Sequence, residues 1–302
     1  MSEVKVNACA YLIDASIYIF RYYFSLPDHW WTEDGKPTAA VYGYATWLLK
    51  LIKTQQPEKI AACFDESLQL CFRNDIYAAY KSSRALPDEL LAFQLSACKT
   101  ISELLGVPCY ASNRYEADDL LATLAKRCRD KGTPVCIVSR DKDLAQLVIN
   151  AADFMWDFPG GEKQTQVRLT SKLGFPPHQM ADFLALTGDS IDDIPGVAGV
   201  GAKTASVLMQ KFSGWRDIAN NLDKLSTLEI RGAKSLAEKL GGNREQISMA
   251  LQLTRLVNNA PLGRRYSVKP KKPDITGLKL YAKELGFGKN FSTLVDKVFD
   301  KK

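Results

Sequence analysis

The chain has 302 residues, 46% hydrophobic, 25% charged and 10% aromatic, which suits one large globular domain or two modest ones. No apolar run is long enough to span a bilayer and the opening MSEVKVNACAYLID carries no signal-peptide pattern, so no membrane association is expected and a cytoplasmic location is. The 40 Lys and Arg exceed the 34 Asp and Glu by 6, a mild hint of an acidic partner, while two histidines and seven cysteines without a CxxC pair leave little for a His base, a structural zinc or a disulfide frame.

Residues 8–13, ACAYLI, form a short apolar run with β-propensity that ends at Asp14. Arg21, seven residues on, is a candidate phosphate contact. A helix is expected over about 38–54, then KIAACF at 59–64 repeats the strand pattern and ends at Asp65. The next stretch, CFRNDIYAAYKSSRALP at 71–87, interleaves Arg73, Lys81 and Arg84 with Phe72, Tyr77 and Tyr80. Cations for phosphates and rings for bases are the parts of a single-strand groove, although by composition alone a solvated helix face explains them better.

A second helix is expected over 88–105, and RYEADDLLATLAKRC at 114–128 opens a third, with Ala117, Leu120, Leu121, Leu124, Ala125 and Cys128 on its apolar face. Glu116, Asp118 and Asp119 crowd its first turn. Capping explains one or two of them, because free N–H groups and the helix dipole favour negative charge there. A cation held between all three is the other explanation, and this stretch alone leaves both open. PVCIVS at 134–139 is a third strand, with Asp141 and Asp143 just beyond it.

Strands alternating with helices imply an α/β fold with a mainly parallel sheet. Parallel strands end on one edge, so Asp14, Asp65 and Asp141 should share it with the Glu116 group. Further on, FPGGEK at 158–163 reads as a hairpin turn and LTSKLGFPPHQMADFLALTG as two short helices. Asp189 and Asp192 then precede GVAGVGAKTA at 196–205, a Gly-rich turn opening a helix. Its glycines run GxxGxG and Lys203 follows Ala202, so neither the dinucleotide fingerprint nor the Walker pattern fits. A helix–hairpin–helix that grips a nucleic-acid backbone fits better, beside the plainer reading of a helix–turn–helix packing unit.

Hard oxygen donors without His or Cys select Mg²⁺ or Mn²⁺. Nine acids, Asp14, Asp65, Glu116, Asp118, Asp119, Asp141, Asp143, Asp189 and Asp192, exceed the needs of one ion and suit two, which together clamp the attacking and leaving oxygens of a phosphoryl displacement. Setting the nine aside leaves 25 acids against 40 bases, and residues 263–302 alone hold 11 Lys or Arg against 4 Asp or Glu. An acidic pocket in a basic body suits a nuclease.

LIDAS, the FDE after the second strand, YEADDLLATLA, SRDKDLAQLV and LTGDSIDDIPGVAGVGAKTA occur in the order seen in the flap-endonuclease superfamily. Over about residues 8–260 the chain resembles the 5′-nuclease domain of bacterial DNA polymerase I and its free-standing relatives. The resemblance implies a PIN-like metal-dependent core over 1–185 with a helical arch at about 71–100. It also implies a helix–three-turn–helix over 186–262 that holds duplex DNA, with K⁺ at its backbone carbonyls, and a basic extension over 263–302. Asp14, Asp65, Glu116, Asp118 and Asp119 would hold one ion, and Asp141, Asp143, Asp189 and Asp192 the other. Lys81 and Arg84 would act on the scissile phosphate. Arg21, Arg73 and Tyr80 would meet the 5′ strand, and Gly199, Gly201, Lys203 and Thr204 the duplex. The implied substrate is DNA with 5′ ends or 5′ flaps, including RNA primer segments, cut by a monomer. Ala15 stands where the family usually has Gly, Arg140 where it has a small residue and Asp193 where Asn is common. A catalytically silent DNA-structure binder and a PIN-like ribonuclease are the alternatives; no ligand position is lost, which disfavours the first, and the segment after 195 disfavours the second.

Overall fold

The central strand comes first in the chain. In the computed structural model, which describes residues 9–67, 70–229, 232–263 and 265–299, β1 (Ala10–Asp14) is buried along its whole length. It pairs in parallel with β2 (Lys59–Asp65) on one side and β4 (Val135–Val138) on the other. β3 (Cys109–Ser112) extends the sheet beyond β2, and β5 (Phe154–Met155) beyond β4, both parallel. β6 (Gln164–Thr165) closes the far edge antiparallel to β5, so among the described residues the order is β3-β2-β1-β4-β5-β6. The turn expected at 158–163 joins β5 to β6.

Alternate side chains of a strand point to opposite faces. Tyr11 and Ile13 of β1 join a core built with α1 (Ala15–Ser25), α2 (Ala39–Gln55) and α4 (Glu89–Leu104). Ala10 and Leu12 join the other core, under α5 (Ala117–Arg129). Continuous apolarity in β1, β2 and β4 follows from this double cover. The edge strand β3 is half-buried throughout; without a continuous apolar run, it gives the sequence no clear strand signal.

The short α3 (Phe72–Ile76) and a run of turns at 77–84 precede α4. Residues 166–254 are mostly helical: α6 (Gln166–Leu173), α7 (Met180–Thr187), α8 (Ala202–Lys211), α9 (Trp215–Asn220), α10 (Ala233–Gly242) and α11 (Arg244–Thr254). Their buried faces, including Leu184, Leu208, Leu240 and Ile247, continue the α5 core. The basic C-terminal stretch returns to the opposite face, where Leu278 and Ala282 of α12 (Ile275–Glu284) and Phe291 and Val295 of α13 (Lys289–Phe299) join the α2 core. Residue 8 of the first expected strand, and residues 264 and 300–302 of this stretch, lie outside the described residues. Trp30 stacks on Tyr42 with ring centroids 4.0 Å apart, so it is packed on the core. Among the described residues no cysteine forms a disulfide and no helix is long and apolar enough to cross a membrane.

Candidate active site

Strand register places the acids. Asp14 lies opposite Cys63 and Ile13 opposite Val138, so β1, β2 and β4 end side by side. Asp14, Asp65 and Asp141 therefore leave one edge of the sheet. β2 continues to one side of β1 and β4 to the other, which makes this a topological switch point, where open α/β sheets form their clefts. The first turn of α5 adds Glu116 and Asp118, and the loop before α8 adds Asp189 and Asp192. Eight of the nine acids singled out in the sequence, all but Asp119, line one cleft of about 200 Å³, with Lys81 and Arg84 in its wall.

Neutral donors fix several of these carboxylates. Ser139 Oγ donates to Asp14 at 2.8 Å and accepts from the Asp141 N–H at 3.0 Å. Ser67 Oγ donates to Asp65 at 2.8 Å, and the Asp65 N–H donates to Ser16 Oγ at 3.0 Å. Ser16, Ser67 and Ser139 are not among the residues singled out from the sequence, although each lies two positions from a strand-end Asp, a usable local signal. Asp141 accepts from the Asp143 N–H at 3.0 Å and caps the 3₁₀ turn at 142–147.

The carboxylates strain against one another. Burial pushes the Asp14 carboxyl up to about 7, and the charges of Asp141 and Asp65 add to it against the Ser139 hydrogen bond. Burial and then Asp141 push Asp143 up to about 7. Asp118 is raised well above the ordinary carboxylate range by burial and then by Asp14 and Asp141, and Asp65 is raised by burial and then by Glu116. Glu116 goes the other way: burial opposes its ionisation, but Lys81 and then Arg73 hold it below the ordinary range. Lys81 Nζ donates to Glu116 Oε1 and stands 3.7 Å from Asp192 Oδ2, and Arg84 pairs with Asp192.

An all-carboxylate donor set in which burial and neighbouring carboxylates raise Asp14, Asp65, Asp118 and Asp143 suits hard divalent cations, because positive charge would oppose the shift. Asp143 Oδ1 adds to the fit, being buried with no hydrogen-bond partner among the described residues. Among the described residues no three acidic, His or Cys groups converge tightly enough to cage an ion as they stand. The fit therefore rests on donor chemistry and on that orphaned oxygen. Arg140 is exposed and outside the cleft lining.

Two expected contacts are corrected by the packing. Asp119 is fully buried and accepts from Arg73 at both oxygens, at 2.6 and 2.8 Å, so it does not face the cleft. It also accepts from the Glu116 N–H at 3.2 Å and completes a capping box with Glu116, which is the capping reading of this acidic turn. Arg73, expected on the DNA, is 1% exposed and also donates to Glu116, to the Leu253 carbonyl and to the Arg255 carbonyl. Tyr80, expected on the strand path, is largely buried and donates its hydroxyl to Glu116 at 2.9 Å, and it contributes to the wall of the second chamber. Arg21 stays at the surface, paired with Asp157 at 2.6 Å.

A second chamber of about 330 Å³ opens beside the acidic cleft and shares Ser16, Phe20, Asp65, Lys81, Arg84 and Glu116 with it. Its far wall is apolar, formed by Phe24, Leu86, Pro87, Leu91 and Leu95. Away from both, Gly201 caps α8 with Lys203 and Thr204 in the first turn. Gly199 has φ +80°, and a Cβ there would stand 3.1 Å from Lys239 Nζ. The turn thus needs glycine for its backbone, and Lys239, a cation not among those named from the sequence, lies against it at Gly199.

The family model described as 5′-3′ exonuclease, N-terminal resolvase-like domain, matches residues 9–174. The model described as 5′-3′ exonuclease, C-terminal SAM fold, matches residues 175–275. A 5′-3′ exonuclease of Aquifex aeolicus is 34% identical over 290 residues, covering 96% of each chain. The thermostable DNA polymerase I of Thermus filiformis is 34% identical over 278 residues, which is 92% of this chain but only 32% of the polymerase. In three dimensions the chain is similar to T5 5′-exonuclease with bound divalent zinc, with TM-score 0.64, 17% identity and coverage of 96% of this chain and 98% of that one. It is also similar to the catalytic core of Rad2 in complex with DNA substrate, with TM-score 0.63, 16% identity and coverage of 97% and 93%.

Proposed function

This chain belongs to the 5′-3′ exonuclease family of nucleases, and from that premise we propose that its acidic cleft hydrolyses phosphodiesters of DNA carrying a free 5′ end or a 5′ flap, with two divalent cations, Mg²⁺ or Mn²⁺. The observation that carries the reading is the meeting of eight carboxylates from distant parts of the chain with Lys81 and Arg84 in one cleft. Asp14, Asp65, Glu116 and Asp118 would hold one cation, and Asp141, Asp143, Asp189 and Asp192 the other. Bound there, the cations supply charge neutralisation at the phosphate and a more acidic water.

The protein's own groups do the rest. Lys81 and Arg84 would leave Glu116 and Asp192 for the scissile phosphate and stabilise the charge that develops on it. Ser139 and Ser67 hold the Asp14 and Asp65 carboxylates in orientation and Ser16 fixes the Asp65 backbone, so little reorganisation accompanies the reaction. The chamber beyond Phe20 would take the bases of the 5′ strand against its apolar wall, which reads no sequence and would admit an RNA primer segment as well as DNA. The Gly-rich turn and Lys203, Thr204 and Lys239 would hold the duplex by its phosphates, with K⁺ at the turn's carbonyls. Every cleft residue comes from one chain, so a monomer would suffice. In this reading 1–185 is the nuclease core with the arch at about 71–100, 186–262 the duplex-holding unit and 263–302 a basic extension, whose helices α12 and α13 pack on the α2 core.

The test is cleavage of end-labelled flap, nicked and single-stranded DNA. Release of short 5′-labelled products with Mg²⁺ and none with EDTA is expected; equal cleavage in EDTA, or none with either cation, would refute the reading. Lys203→Ala is expected to weaken duplex binding several-fold at low salt and to lower the salt-dependence slope by about 1, with base preference unchanged. Fluorescence anisotropy over a salt series reads both, and an unchanged slope would remove Lys203 from the interface.

A further inference from the structure

The loop before α8 and the turns before α4 are locked together along the rim of the cleft, and one of the contacts, between Ser83 and Asp193, uses residues that do not line it. The Asp189 and Ile194 N–H groups donate to each other's carbonyls at 2.9 and 2.8 Å, which closes 189–194 into a tight loop. Two residues other than glycine hold left-handed backbones where this loop meets the turns, Asp193 at φ +56° and Lys81 at φ +54°. Such conformations persist only where the surroundings enforce them. Here the Lys81 N–H donates to the Asp192 carbonyl at 3.0 Å, the Arg84 Nε to the Ile191 carbonyl at 3.3 Å, and the Ser83 N–H to Asp193 Oδ2 at 2.9 Å. Asp193 does not line the cleft, although its neighbour Asp192 does.

We propose that Asp193 is a positioning residue: its side chain clasps the backbone of the 81–84 turn and so presents Lys81 and Arg84 to the cleft. The chain runs directly from this loop into Pro195 and the Gly-rich turn. A duplex held at α8 would therefore bear on the same clasp. The inference rests on the nuclease reading for its catalytic consequence, though not for the clasp itself.

A clasp needs an acceptor oxygen and no charge. Asp193→Ala loses it, and Asp193→Asn keeps it. In Asp193→Ala, kcat on flap DNA is expected to fall about 10- to 100-fold, because misplacing a catalytic group by about 1 Å can cost on the order of 10²-fold. KM and the Mg²⁺ midpoint should stay near wild type, and Asp193→Asn should restore kcat. If Asp193 instead held a cation, the Asn variant would fail as badly as the Ala variant and both would shift the Mg²⁺ midpoint. That result, or a wild-type kcat in Asp193→Ala, would overturn the proposal.

Hydrogen–deuterium exchange gives a readout independent of cleavage. A peptide over 77–87 should exchange faster in Asp193→Ala and at the wild-type rate in Asp193→Asn. Equal rates in all three proteins would overturn the clasp even if the enzyme is active. If wild type fails to cleave but the exchange pattern appears, the nuclease reading has failed and the clasp stands. Should Asp193→Ala not fold, full activity and normal exchange in Asp193→Asn still support the clasp, and loss of activity there still overturns it.

Discussion

Changing Asp118 and Asp141 together to asparagine is expected to lower cleavage by at least about 10³-fold while duplex binding stays within a few-fold of wild type. The two residues come from different elements, the first turn of α5 and the end of β4, and both face the cleft. Removing one charge on each side would deprive both proposed cation positions of a ligand. A loss of several kcal/mol of transition-state stabilisation corresponds to that rate effect, since each ~1.4 kcal/mol is tenfold. Binding should survive because the exposed cations near α8 are far along the chain and untouched. The fold should survive as well. Asp141 accepts the Asp143 N–H through Oδ1, and an asparagine oxygen can do the same. Asp118 is held at a raised pKa by burial and then by Asp14 and Asp141, so a neutral amide relieves repulsion. The double variant should therefore melt at or above the wild-type temperature in EDTA. Single-turnover cleavage with binding by gel shift checks the first claim and a melt checks the second; full activity would remove these carboxylates from the chemistry.

The second large effect belongs to Arg73→Met. This guanidinium is almost wholly buried and spends its donors on Asp119, Glu116 and two carbonyls. Truncating it leaves buried Asp119 without its cation and Glu116 with Lys81 alone, and removing one partner of a buried pair typically costs about 3–5 kcal/mol. Because Arg73 ties α3 to the start of α5 and the end of α11, the loss should appear as a lower urea midpoint for the whole unit. Asp119→Asn should also destabilise, by less, since Glu116 still balances Arg73. Urea melts of both variants decide the matter, and midpoints like wild type in both would show that the pair does not hold the fold. Asp119 and Asp118 are adjacent in sequence, and the two experiments separate them: one is argued from charge at the cleft, the other from a buried tie.

These cases show where sequence reasoning reached the site and where it stopped. Asp14, Asp65 and Asp141 could be grouped without coordinates, because continuous apolar runs imply covered parallel strands and parallel strands end on one edge. The capping box at Glu116 and Asp119 was also within reach, since it depends only on residues three apart on one helix. Choosing between cap and cleft for Asp119 was not, because the choice depends on Arg73, 46 positions away. In the sequence Arg73 looks like its neighbours Lys81 and Arg84, a cation among aromatic residues. Burial alone separates it from them. Nor does the sequence show that the Tyr80 hydroxyl is taken by Glu116, 36 positions away. β3 escaped notice because a half-buried edge strand needs no continuous apolar run.

Sequence alone determined which groups could do chemistry and which sheet edge would gather them, because strand polarity and helix phase are local properties of the chain. Only the tertiary structure decided which of those groups turn toward the cleft, which are spent on buried partners, and that Asp193 reaches across 110 positions to Ser83. Those outcomes depend on contacts between segments far apart in the chain, and a periodic pattern carries no record of them.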